Sequence, residues 1–214
     1  MENILKQIYE SVVNGDASSV EELVQQALKA GIAPEAILNE GLIAAMQRVG
    51  KLFEEGEFFV PEMLVAARAM QAGLNVLRPI LSEKDIQPIG KIVIGTVKGD
   101  LHDIGKNLVA MMLEGAGFQV IDLGIDVPPQ KFIEAIQEHQ PQIVAMSALL
   151  TTTIGNMRLT IDEITKAGLR ERVKVMVGGA PVTEGYARQI GADGYAPDAG
   201  RAATLARQLV GAEP

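Results

Sequence analysis

A change of hydrophobic period near residue 83 divides this 214-residue sequence into two parts that cannot share one architecture. Upstream, apolar residues recur at helical spacing. Downstream, short apolar runs alternate with helical patterns. In the first part Ile4, Leu5, Ile8 and Val12 form a stripe that Asn14-Gly15 stops. Asp16 or Ser18 can cap the next helix, "SSVEELVQQALKA", and Gly31 lies just beyond its end. Pro34 opens a third helix with a stripe through Ile37, Leu38, Leu42, Ile43, Met46, Val49, Leu52 and Phe53. "EEGEFFVP" interrupts it, and a long fourth helix carries Met63, Leu64, Ala67, Met70, Leu74 and Leu77. Four helices with short connections predict an antiparallel bundle over residues 1–82. The polar stretch 83–90, with Pro88 and Gly90, reads as a linker.

Residues 91–214 carry apolar strand runs at 91–97, 119–124, 142–149 and 174–179, with a weaker one at 194–197. Helical patterns separate them, and a last helix covers about 199–210. Five strand–helix units with near-continuous apolar strands predict a doubly wound parallel sheet. The size suits the flavodoxin-like (Rossmann-like) order 2-1-3-4-5, in which ligands bind beyond the carboxyl ends of strands 1 and 3. The expected fold class is therefore α/β joined to an all-α domain.

The composition excludes several functions. A net charge of −8 without a Lys/Arg cluster argues against nucleic acid and anionic membranes as partners. Without cysteine there is no disulfide, thiolate catalyst, Cys-ligated zinc or iron–sulfur cluster. The polar, amphipathic start "MENILKQIYE" does not resemble a secretory signal, and no apolar stretch approaches a membrane span, so a cytoplasmic protein is expected.

At the expected switch point the loops bring together Asp100, His102, Ser147, Thr151, Thr153 and the pair Gly178-Gly179. Polar groups converging over an apolar sheet suit a binding site. Each also has a plainer reading: Asp100 or Asp103 can cap the following helix, a lone histidine can be a surface residue, and a glycine pair can be a turn. The loop 99–107 is not a phosphate-binding P-loop. Five residues separate Gly99 from Gly105 where four are needed, and Asn107 stands where a hydroxyl should hold magnesium.

Taken together, Asp100-x-His102-x-x-Gly105, Ser147-x-Leu149 and Gly178-Gly179 resemble the cobalamin-binding fingerprint of methionine synthase and the corrinoid methyltransferase proteins. "VGKLFEEGEFFVPEMLVAARAM" resembles the helical cap that accompanies it. The resemblance implies cobalamin as cofactor (methylcobalamin and cob(I)alamin, or a related corrinoid). Its own base would be displaced from cobalt, with His102 as lower axial ligand. It implies Asp100 as the partner of His102, and Thr153, where methionine synthase has Ser, as the hydroxyl behind Asp100. Proton movement along these three would accompany loss of the histidine from cobalt. Ser147, Leu149, Gly178 and Gly179 would take the displaced nucleotide tail, and Thr151 and Gly99 would bond the corrin or its tail. Leu101, Asp103 and Gly105 belong to the fingerprint loop, and Tyr195 and Ala199 would line the rest of the pocket. Phe59, Val60 and Leu64 would shield the upper face.

A chain of cap and cobalamin domains alone resembles a methyl carrier between two enzymes. One is a donor-specific methyltransferase for methylamine, methanol, betaine or an aryl methyl ether. The other is an acceptor methyltransferase using tetrahydrofolate or a thiol, and a reductive activase is a further implied partner. The alternatives are a regulatory or storage protein that binds cobalamin, and an adenosylcobalamin mutase subunit.

Overall fold

The computed structural model describes residues 2–83 and 88–212. Contacts divide the chain into two compact units, Met1–Gln87 with Gly115–Gly117, and Pro88–Glu114 with Phe118–Pro214. Part of the expected linker, residues 84–87, lies outside the described residues.

The first unit is helical. α1 (Glu2–Val13) ends at Gly15, whose φ of 73° only glycine adopts readily. α2 (Ala17–Lys29) is capped by Asp16, whose carboxylate accepts the Ser19 N–H at 3.0 Å. The third stretch is not one uniform α-helix as its stripe predicts. α3 (Pro34–Ala36) passes into a π-helical segment, Ile37–Ile43, and then α4 (Ala44–Glu54). The wider turn buries Ile37, Gly41, Leu42 and Ile43 together. A Cβ on Gly41 would lie 3.0 Å from Ile8 Cγ2, so this turn sits tight against α1. α5 (Val60–Glu83) packs on α2. Ile8, Val24, Leu42, Met46, Met63, Met70 and Leu77 form the buried interior.

The second unit holds a five-stranded parallel sheet in the order β2-β1-β3-β4-β5, as expected. The strands are β1 (Lys91–Thr96), β2 (Gln119–Asp122), β3 (Ile143–Ser147), β4 (Lys174–Gly178) and β5 (Gly194–Tyr195). Each is shorter than its apolar run because the runs continue into the carboxyl-end loops. Helices α6 (Ile104–Gly115), α7 (Pro129–His139), α8 (Gly155–Lys166), α9 (Glu184–Gln189) and α10 (Ala199–Leu209) follow the strands in turn. β1 and β3 are buried almost throughout, as strands covered on both faces must be. The register aligns Thr96 with Ser147 and Ser147 with Gly178, so three strands end in one row. No helix among the described residues is long and apolar enough to cross a membrane.

Phe132 on α7 is fully buried in the core formed with Val93, Val144, Met146 and Ile161. The ring also occupies the space left by Gly95, where a Cβ would come within 3.0 Å of it. Phe132→Ala should destabilise the protein by about 3–5 kcal/mol, read as a lower midpoint in urea with an unchanged slope.

Candidate functional site

The strand β1 feeds the loop 97–103, and hydrogen bonds from three sides hold that loop. The Asp100 N–H donates to Val97 O, the Asn156 side chain donates to Lys98 O at 2.8 Å, and the buried Thr96 hydroxyl donates to His102 O at 2.9 Å. The Asp100 side chain points inward and is fully buried. Oδ1 accepts the His102 N–H at 3.1 Å and faces His102 Nδ1 at 2.8 Å. Oδ2 accepts the Thr153 hydroxyl at 2.6 Å and the N–H groups of Leu149 at 2.8 Å and Leu150 at 3.3 Å. The carboxylate therefore joins the loop after β1 to the loop after β3.

Burial alone would raise the Asp100 pKa. The hydrogen bonds from Thr153, Leu149 and the ring and amide of His102 outweigh it and hold the carboxyl far below its usual range. Asp100 is thus ionised at neutral pH. An ionised carboxylate accepts only, which assigns a proton to His102 Nδ1 and leaves the Nε2 lone pair available in the neutral ring. The ring is half exposed while its carboxylate partner is fully buried.

Large apolar side chains stand exposed on the loops at this end of the sheet. Leu101 (67%) and Ile104 (80%) flank His102 in sequence, and Ile125, Leu149 and Leu150 are exposed on the loops after β2 and β3. Such grouping marks a surface that something apolar covers. Among the described residues there is no cluster of three His, Cys, Asp or Glu able to hold a metal ion alone. The donor set is one oriented imidazole beside apolar surface. It fits a metal that arrives inside its own macrocycle, and so it fits a corrinoid.

Ser147 lies half-buried at the end of β3, and Thr151 is exposed on the following loop. Asp103 is bonded by Asn107, whose N–H meets its carbonyl at 2.7 Å and whose amide meets its carboxylate at 3.2 Å, away from His102. Gly105 is open, with nothing near its Cβ position. Gly178 and Gly179 have a reason to be glycine that is independent of any ligand. Their Cβ positions lie 3.0 Å from Ala196 O and 1.9 Å from Ala148 O, and Gly179 has φ of 126°. Tyr195 packs partly buried on the sheet core, and Ala199 is buried at the start of α10. In the helical unit Phe59 is 64% exposed, Val60 is exposed and Leu64 is half-buried. The Phe59 N–H donates to Glu62 at 3.0 Å, which fixes the entry of α5.

Thr96, Asp126, Asn156 and Leu150 contribute to the site without having been singled out from the sequence. A threonine inside an apolar strand run was a usable signal for Thr96. The other three act through or upon backbone groups, which leave no mark in residue spacing.

A model of a B12 binding domain matches residues 90–204, and a second model, also described as a B12 binding domain, matches residues 4–78. Trimethylamine corrinoid protein 1 of Methanosarcina acetivorans is 44% identical over 200 residues, covering 92% of this chain and 93% of that one. Dimethylamine corrinoid protein 3 of the same organism is 44% identical over 210 residues, with 98% of each chain covered. Among solved structures, the methanol:cobalamin methyltransferase complex MtaBC from Methanosarcina barkeri is similar with a TM-score of 0.88 at 29% identity, covering 99% of this chain and 81% of that chain. A cobalamin-binding protein from Desulfitobacterium hafniense gives a TM-score of 0.81 at 33% identity, covering 96% of this chain and 98% of that one.

Two outcomes follow from this geometry. Gly179→Ala should cost about 2–4 kcal/mol, since backbone strain of about 1–3 kcal/mol adds to a clash with the Ala148 carbonyl that no side chain can relieve. Gly168→Ala, also at positive φ but with open space around it, should cost only about 1–2 kcal/mol. Urea denaturation of both variants checks the difference. The second outcome concerns acid. The folded pKa of Asp100 is depressed, so its stabilisation is fully present above the unfolded value of about 3.9 and is lost as pH falls from there towards the folded value. The cofactor-free protein should therefore lose stability more steeply below about pH 4 than Asp100→Asn does, as measured by urea midpoints across pH.

Proposed function

The chain belongs to the B12-binding family and is a cobalamin-binding methyl carrier of a methyltransferase system, and from that premise we propose that His102 is the lower axial ligand of the cofactor's cobalt. The observation that carries this reading is the chain His102 Nδ1–Asp100–Thr153, at 2.8 Å and 2.6 Å, beside exposed apolar side chains. Cobalamin, when bound, supplies the cobalt on which a methyl group is carried from donor to acceptor.

The protein's part is binding, orientation and proton control. His102 offers Nε2 as a neutral donor because Asp100 keeps the proton on Nδ1. Thr153 and the Leu149 and Leu150 N–H groups fix Asp100, and Asp100 in turn aims the ring. The Thr153 hydroxyl also lies 3.0 Å from Leu150 O, and the charged, closer acceptor takes its proton. Leu101, Ile104, Ile125, Leu149 and Leu150 are exposed apolar groups that would meet the corrinoid and, once covered, keep water from the ring. We assign the displaced nucleotide tail to Ser147, Leu149, Gly178 and Gly179, with the Thr151 hydroxyl and the Gly99 carbonyl as hydrogen-bonding groups, the Gly99 N–H being held by Asp126, and with Tyr195 and Ala199 nearby. Phe59, Val60 and Leu64 are assigned to the opposite face of the corrin.

A methylamine is the favoured methyl donor, since curated relatives at 44% identity are trimethylamine and dimethylamine corrinoid proteins, while the methanol system is similar at 29%. The donor side is served by a donor-specific methyltransferase. The acceptor side, with tetrahydrofolate or a thiol, a reductive activase and a cytoplasmic location complete the reading. The domain division, with a cap before a linker at 83–90 and a cobalamin domain from 91, belongs to it as well.

The test loads the protein with cob(II)alamin and records its electron spin resonance spectrum. A protein nitrogen should couple to cobalt, change splitting when ¹⁵N-histidine is supplied, and vanish in His102→Ala. Coupling that survives that substitution contradicts the axial assignment. For the donor, loaded protein mixed with trimethylamine, dimethylamine or methanol and the matching methyltransferase should change absorbance with a methylamine. A response to methanol alone overturns the donor reading.

A further inference from the structure

Gly99 stands directly before Asp100 with φ of 81°, in a conformation that glycine enters and leaves most easily. The carboxylate on which His102 depends is therefore attached to the most pliant joint of the loop. A second loop clamps that joint on both sides. Asp126, between β2 and α7, accepts the Gly99 N–H on Oδ1 at 2.7 Å, and its own N–H donates to Asp100 O at 3.0 Å. Asp126 is itself held at φ of 51°, one of two non-glycine residues at positive φ among the described residues. Such a conformation persists where its surroundings require it, and Asp and Asn tolerate it better than most residues. Asp126 is exposed, yet its carboxylate turns onto a backbone N–H. The next residue, Val127, is fixed in turn by its N–H to Thr96 O at 2.9 Å, so the clamp rests on the end of β1.

We propose that Asp126 is a positioning residue for the axial histidine, closing a two-bond clamp across Gly99–Asp100 that fixes the Asp100 carboxylate and through it the His102 ring. The proposal rests on the axial role given to His102 above. The role belongs to the acceptor oxygen and not to the charge: an amide oxygen at the same place performs it.

The experiment uses the full chain loaded with cob(II)alamin. Three proteins are compared: native, Asp126→Asn and Asp126→Gly. Asn keeps an acceptor and accepts the positive φ. Gly releases the backbone strain but has no acceptor. The readouts are the fraction of cobalt coupled to a protein nitrogen in the spin resonance spectrum, and the urea midpoint of the cofactor-free protein. Asp126→Asn should match the native protein. Asp126→Gly should shift the ratio of histidine-bound to histidine-free cobalt by about tenfold towards the free form, the lower end of what lost support behind a metal ligand costs, while its urea midpoint stays near native. Three results overturn the proposal: a native-like ratio in Asp126→Gly, a loss no larger than its unfolded fraction explains, or an Asn variant as defective as the Gly variant. Absence of protein nitrogen in the native protein overturns the axial reading itself and this inference with it. Native coupling that persists undiminished in Asp126→Gly overturns this inference alone.

Discussion

The carboxylate of Asp100 is the constraint around which the α/β unit is arranged. A fully buried charge is unfavourable unless hydrogen bonds replace its water. Here the replacements come from two loops at once: the ring and amide of His102 on one side, and Leu149, Leu150 and Thr153 on the other. Those loops can meet only if β1 and β3 are neighbours that end level, as the pairing of Thr96 with Ser147 makes them. The order reversal of the sheet is thus a condition for keeping one ion in the interior.

Polar precision and apolar exposure stand side by side at this end of the sheet. The side chains that would ordinarily be turned inward, Leu101 and Ile104 above all, are the ones left in solvent. Within a few residues, Lys106 is almost wholly buried and paired with Asp122 and Asn107. This inversion of the usual sorting by polarity is local. It makes physical sense if the exposed surface is built for a large apolar partner and the buried Lys106 ammonium anchors α6 to Asp122 of β2.

Much of this was legible in the sequence. The change of period separated helices from strand–helix units because burial on one face and burial on two faces leave different repeats. The resemblance to the cobalamin-binding fingerprint implied the link from His102 through Asp100 to Thr153, and the structure brings those three into contact. Other features were not legible, for particular reasons. The π-helical turn at Ile37–Ile43 keeps an apolar stripe, so composition cannot tell it from an α-helix. The strands stop short of their apolar runs because Ala148 and Leu149 serve a packed loop instead of a ladder. Asp126 and Asn156 act on peptide groups, whose positions depend on tertiary folding. For Gly178 and Gly179 the sequence indicated glycine, while the nearby carbonyls that require it became visible only in three dimensions.

The pinned state of loop 97–103 has a thermodynamic consequence. Much of its backbone is bonded to the protein's own strands and loops, so most of the entropy of ordering it is charged to folding. Little conformational entropy remains to be lost when a corrinoid arrives. The heat of capture then reports mainly on water leaving Leu101, Ile104 and their neighbours, and its temperature dependence should be that of an apolar surface closing on a rigid seat.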